Sequence, residues 1–413
     1  MSGWKEVRLG EIADIQTGPF GSQLHKEDYV KNGTPIVTVE HLGNKQFNTN
    51  NLPCVTDSDR ERLSKYIAYE GDVVFSRVGS VDRCSYVDKT TNGWLFSGRC
   101  LRVRPFNNVS GEYLYYYFNL YTTKQYIRNV AVGTTMPSIN TNILSDVPIL
   151  LPSFETQYTI ASILSSLDDK IAVNKKICEN LEAQAQALFK HWFVDFAPFK
   201  NGKFIESELG LIPEGWRVVS LDEMTSKFGT GLNPRQNFKL GEGDNYYVTI
   251  KNMGNNRVYL DDRCDKVTDE AIEKINKRSK LQKGDLLFSG IGTIGRVAMI
   301  TETPTNWNTS ESVFNMHPAE GYSTEFLYVL LLSDAFQQYV KIHAQGGVQQ
   351  GIRMASLKQY LMPVPDHNTL KTFDDIIVPI ISQIREKEKE NDYLSTLRDT
   401  LLPKLMSGEI SLD

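Results

Sequence analysis

The chain has 413 residues, 40% apolar and 23% charged, with a net charge of −5. That is too long for one ordinary core and is the profile of a globular chain, so two or more domains are expected. There is no apolar run long enough for a membrane span, no secretory leader before "ADI", and no Cys/His ligand spacing among five scattered cysteines and six histidines; the expectation is a cytoplasmic protein with reduced thiols and no metal.

In chain order, "TPIVTV", "GDVVFSRVG" and "CLRVRP" read as strands, and the aromatic run "GEYLYYYFNLYTTKQYIRNV" as helix. A loop "GTTMPSI" and a strand "VPILLP" end at Pro152. The pattern then returns. "WKEVRLGEI" from Trp4 reappears as "WRVVSLDEM" from Trp216, and "EGDVVFSRVGSVDR" around Gly71 as "KGDLLFSGIGTIGR" around Gly284. The second register continues without a gap, pairing Trp94 with Trp307, Gly133 with Gly346 and Pro152 with Pro365. The chain is an internal duplication. Strands and helices mix without βαβ alternation, so the fold class is α+β.

The second copy holds Gly290, Gly292 and Gly295 in the GxGxxG spacing of a dinucleotide cradle. The first copy has Arg77, Gly79 and Asp82 there. Directly after the glycines comes "RVAMIT", which alternates like a strand. A cradle requires a helix at that point, so the motif reads as a turn between strands.

After Pro152, Ile160, Leu164, Leu167, Ile171, Asn174, Cys178, Leu181, Ala185, Leu188 and Trp192 follow steps of four and three. After Pro365 the equivalents are Phe373, Ile377, Ile380, Ile384, Lys387, Asn391, Leu394, Arg398, Leu401 and Leu405, with Pro403 expected to stop or kink the helix. Each helix would have about 35 to 40 residues and span some 55 Å at 1.5 Å per residue. That is too long for one compact domain, so the two are expected to pair as an antiparallel coiled coil, with the polar seam residues fixing register. The join, "VDFAPFKNGKFIESELGLIPEGW", reads as a connecting loop. The expected organisation is a recognition domain (1–152), a long helix (153–196), a loop (197–215), a second recognition domain (216–365) and a C-terminal helix (366–413).

"LDDKIAVNKKICENLEAQAQALFKHWFVDFAPF", "GLIPEGWRVVSL" and "LSTLRDTLLPKLMSGEI" resemble the specificity subunits of type I restriction–modification systems, and the resemblance spans essentially the whole chain. It implies a non-catalytic subunit with two target-recognition domains that read a bipartite site in double-stranded DNA. Methyltransferase subunits would dock on the helices and restriction subunits would join through the methylase. S-adenosylmethionine, ATP and Mg would belong to those partners. Consistently, the chain has no GxxxxGK[ST] loop, no "NPPY"-like tetrapeptide and no catalytic constellation shared by the copies. A coiled-coil scaffold that never touches DNA is the alternative, slightly favoured by the acidic charge.

Bases are read by polar side chains on loops, so the candidates are the polar residues at which the copies diverge within the shared frame. Thr134, Thr135 and Ser138 stand against Gln349, Gln350 and Arg353; Arg77 stands against Gly290. The loop after the first strand offers Thr17, Ser22 and Gln23 against Asn233, Arg235 and Gln236. A fourth pair offers His41, Asn44 and Lys45 against Lys251, Asn252, Asn255 and Arg257.

Overall fold

A computed structural model describes residues 4–21, 23–347, 350–410 and 412. It divides into two compact units: Met1–Asn174 with Lys389–Asp413, and Lys175–Glu388. The division falls inside the two long helices, so each unit holds one head and half of each helix.

In the first unit, an antiparallel sheet runs in the order Ala13–Thr17, Cys100–Pro105, Val73–Ser76, Cys84–Tyr86. A second sheet centres on Thr34–Val37, with Cys54–Val55 antiparallel on one side and Leu95–Phe96 parallel on the other. Lys5–Arg8 pairs with Pro148–Leu151. The second unit repeats each arrangement. Its sheets run Thr225–Thr230, Val313–Pro318, Leu286–Ser289, Val297–Met299 and Asp265–Val267, Asn245–Val248, Trp307–Thr309, and Arg217–Ser220 pairs with Leu361–Val364. Even the register is kept: Thr17 faces Leu101, and Thr230 faces Phe314. Val73–Ser76 and Leu286–Ser289 are buried along their whole length, which is why they read as unbroken apolar runs.

The aromatic segment is two helices, Gly111–Phe118 and Tyr121–Val130, with Ser110 Oγ accepting from the Tyr113 N–H at the start of the first. Tyr113, Tyr115, Tyr116 and Phe118 are buried, so this run is core rather than a stacking platform. Its counterpart breaks at Ser333, which ends Thr324–Leu332 and caps Asp334–His343. The join between copies is not a plain loop. Phe204–Ser207 and Gly210–Pro213 form an antiparallel hairpin within it.

The glycine motif is a turn. Ser289 Oγ donates to the Thr293 carbonyl and accepts from the Arg296 N–H, and the strand Val297–Met299 comes directly after. Gly292 and Gly295 take the left-handed conformation there, with φ of 80° and 91°. Gly290 is required for a different reason, since a Cβ would lie 2.5 Å from the Phe314 ring.

The long helices span Phe154–Phe193 and His367–Met406, 40 residues each. In the first unit they run antiparallel: Asp168 meets Arg398 at 2.6 Å, and Asn174 Nδ2 donates to Asn391 Oδ1 at 3.0 Å. In the second unit, Cys178 lies against the Ile384 carbonyl, and Phe193 packs on Phe373 with centroids 4.8 Å apart. The helix halves share a core with their heads. Ile160, Leu164, Leu402 and Leu405 join Tyr113 and Phe118 in one unit; Phe189, Phe193 and Phe373 join Trp216 and Phe326 in the other.

Several seam positions shift. Leu188, Trp192 and Ile380 are half-buried, while Phe189, Phe193 and Ile381 are fully buried. A third layer, the head, covers the helices there, so the apolar stripe widens beyond a two-helix seam. Ile171, Ile377 and Ile384 are buried as expected, whereas Leu167, Leu181, Lys387, Leu394 and Leu401 are half-buried. Pro403 does not end the second helix, which continues to Met406 and also contains Pro379. Both prolines face solvent, where water can serve the carbonyls deprived of an N–H partner.

Candidate nucleic-acid interface

Backbone hydrogen bonds draw three loops of the first head into one continuous edge. The Arg77 N–H donates to the Arg99 carbonyl, the Gly79 N–H to Pro137, and the Ile139 N–H back to Arg77, at 2.8, 2.8 and 2.9 Å. This welds the 77–80 turn to the 132–138 loop, which is itself closed by Val132 and Ser138 exchanging both hydrogen bonds. The 18–21 segment joins on the other side. Gly98 packs so closely on the Pro19 carbonyl that a Cβ would meet it at 2.1 Å. Thr134, Thr135 and Met136 stand exposed on the edge. Arg77 is half-buried, with Nη1 donating to the Gly98 carbonyl at 3.1 Å, and no carboxylate among the described residues pairs with it. Four of its five donors are therefore uncommitted.

The second head builds the same edge from different residues. The Gly290 N–H donates to Ser312, the Gly292 N–H to Gln350, and the Ile352 N–H to Gly290. Arg235, Gln236, Gln350 and Arg353 are exposed along it. Asn233 works within the edge. Its Oδ1 accepts from the Arg235 N–H at 2.9 Å, and its Nδ2 donates to Glu311 at 2.8 Å. The Tyr247 hydroxyl donates to the Leu232 carbonyl at 2.8 Å and lies 3.3 Å from the other Glu311 oxygen, and burial together with that carboxylate raises the Tyr247 pKa. Glu311 stands where the first head has Gly98; sequence reasoning passed over Glu311 because it left carboxylates out of the candidate base readers.

Among the remaining candidates on these edges, Thr17 lies in the strand paired to Leu101. Gln23 is held by the Tyr66 hydroxyl at 2.7 Å and by Arg62, which donates to its carbonyl. Ser138 Oγ donates to the Val132 carbonyl. Ser22 and Gln349 lie outside the described residues.

The fourth loop pair does not join these edges; it turns toward the long helices. Lys45 Nζ is shared between Glu112 at 2.8 Å and Asp169 at 3.3 Å, and its side chain is only 13% exposed. At the matching place in the second unit, Asn256 Nδ2 donates to Glu182. Asn252 is buried, with Oδ1 accepting from the Thr249 N–H; His41 does the same for Thr38. These two are capping-box residues that shape a 3-10 turn, and Lys45 clamps a head to a helix. Neither Lys45 nor Asn252 is available to a base. Asn44 and Lys251 remain exposed, and Asn255 donates to the Tyr259 hydroxyl.

A model of the type I restriction modification DNA specificity domain matches residues 1–183 and again 213–394. The chain belongs to this family of type I specificity domains. Similar full-length relatives include the type I restriction enzyme MjaIX specificity subunit of Methanocaldococcus jannaschii, 25% identical over 415 residues and covering 99% of this chain and 94% of that one. The HindI specificity subunit of Haemophilus influenzae is also 25% identical, over 99% of this chain and 100% of its own. In fold, the specificity-domain chain is similar to the S subunit of a type I restriction–modification system from M. genitalium, with TM-score 0.57 and 16% identity, covering 97% and 96% of the two chains.

Two further features of this specificity-domain chain escaped the sequence. Asp168, which lies beside the seam position Leu167, is the acceptor for both Arg398 and the Tyr116 hydroxyl. Arg385 lies 5.0 Å over the Tyr328 ring and pairs with Glu388 at 2.8 Å. Among the described residues, no group of His, Cys, Asp and Glu is placed to hold a metal, and no helix is long and apolar enough to cross a membrane.

Proposed function

We propose that this chain is the non-catalytic DNA-reading subunit of a type I restriction–modification assembly. Each head reads one half of a bipartite duplex site through its three-loop edge. The paired helices set the spacing between half-sites and dock methyltransferase subunits, through which restriction subunits join. S-adenosylmethionine, ATP and Mg are then used by those partners in the cytoplasm, and this chain contributes sequence choice alone.

One observation carries the reading. The same edge is built twice on one framework, and the framework is kept in strand register while the exposed side chains differ. A scaffold has no use for two such edges. A sequence reader does, because donors and acceptors on loops discriminate base edges and a shared frame presents them alike. Family membership over both copies supports it independently.

A titration of duplex DNA against salt tests the proposal. The chain alone is expected to bind weakly, with affinity falling steeply as salt rises, and to gain sequence preference when methyltransferase subunits are added. Absence of binding in both states, at low salt, would favour the scaffold.

A further inference from the structure

The two edges differ in charge at two neighbouring frame positions. In the first head the Gly98 carbonyl receives the Arg77 guanidinium. In the second head Gly290 replaces the arginine and Glu311 replaces the glycine, so a cation gives way to an anion within the same loops. A carboxylate on a surface that meets phosphates is unfavourable unless something is gained there. Among the described residues no cation neutralises Glu311; its partners are the neutral Asn233 and Tyr247. The Asn233 bond orients one carboxylate oxygen, while the single Tyr247 hydrogen also serves the Leu232 carbonyl at 2.8 Å, so most of the lone-pair sites of Glu311 stay open. The carboxylate is half-buried, so it is neither sealed in the core nor free to swing.

Building on the DNA-reading role, we propose that Glu311 is a base-reading residue that accepts a hydrogen bond from the exocyclic amine of a cytosine in the second head's half-site. An ionised carboxylate can only accept. In the major groove the amines on offer are cytosine N4 and adenine N6. Adenine sets its N7 acceptor beside the amine, where it would repel a carboxylate; cytosine does not. Arg77, with one donor on the Gly98 carbonyl and the rest uncommitted, is suited to the opposite edge, guanine O6 and N7. The duplicated frame thus presents opposite polarity in its two heads.

The test uses the chain reconstituted with its methyltransferase subunits. The methylated target is mapped for wild type and Glu311→Gln. The variant is expected to lose discrimination by about tenfold or more at one G·C pair of one half-site, with the other half-site and the spacing unchanged. In parallel, wild type is assayed on duplexes in which each cytosine of that half-site is replaced in turn by pyrimidin-2-one, which lacks the amine. A loss of about tenfold at a single position is expected, and the variant should be indifferent there. The analogue series keeps the proposal testable even when the variant folds poorly. Unchanged specificity in Glu311→Gln, or an analogue series with no sensitive position, overturns the proposal while leaving the DNA-reading role intact. Failure of wild type to modify any bipartite site overturns the role itself.

Discussion

Gly290 and Phe314 in one head stand where Arg77 and Leu101 stand in the other. The pairs explain each other: the larger ring leaves no room for any side chain at 290, whereas leucine admits an arginine. Gly290→Ala is expected to lower stability by about 1–3 kcal/mol through overpacking, and Phe314→Leu in the same chain should recover most of it. Urea unfolding of the single and double variants measures this; a double variant as unstable as Gly290→Ala would refute the pairing. This coupling was invisible in a linear reading, which saw only a glycine triplet with a familiar spacing. Lys45 and Asn252 illustrate a related point. Their side chains looked like loop donors, yet one is paired with Glu112 and Asp169, both far along the chain, and the other folds back on Thr249. Residue type tells what a group can bond, and only the fold tells what it has already bonded.

At the scale of elements, the strands and long helices were legible because their periods are strong and stated twice. The helix pair is antiparallel within each unit, and its polar seam residues find partners: Asn174 with Asn391, and Arg398 with Asp168. Burial alone would lower the Arg398 pKa, but the Asp168 hydrogen bond and charge raise it above the ordinary arginine value. What the heptads could not convey was the third layer. Phe189 and Phe193 lie one step off the expected seam because the head covers that side, and Pro379 and Pro403 are tolerated because solvent covers the other. Asn174 is wholly buried. Asn174→Ala should cost about 1–3 kcal/mol by leaving the Asn391 amide unpaired, while replacing both by leucine should restore stability and sacrifice a register marker. Equilibrium unfolding distinguishes the outcomes; a neutral Asn174→Ala would mean the pair contributes nothing.

For the whole molecule, the deciding feature is repetition. A net charge of −5 is unpromising for a DNA-binding protein, yet binding through two limited edges does not require a basic body. Duplication preserves the order of the main sheets, the strand register and the three-loop edge, while the side chains that the two edges display differ. Two unlike readers on one chain give a target in two unlike parts. The most direct measurement is a map of methylated adenines in host DNA with and without this gene. Dependence on the gene of one motif, made of two different short sequences at a constant separation, is predicted. A contiguous motif, or a methylation pattern indifferent to the gene, would contradict it.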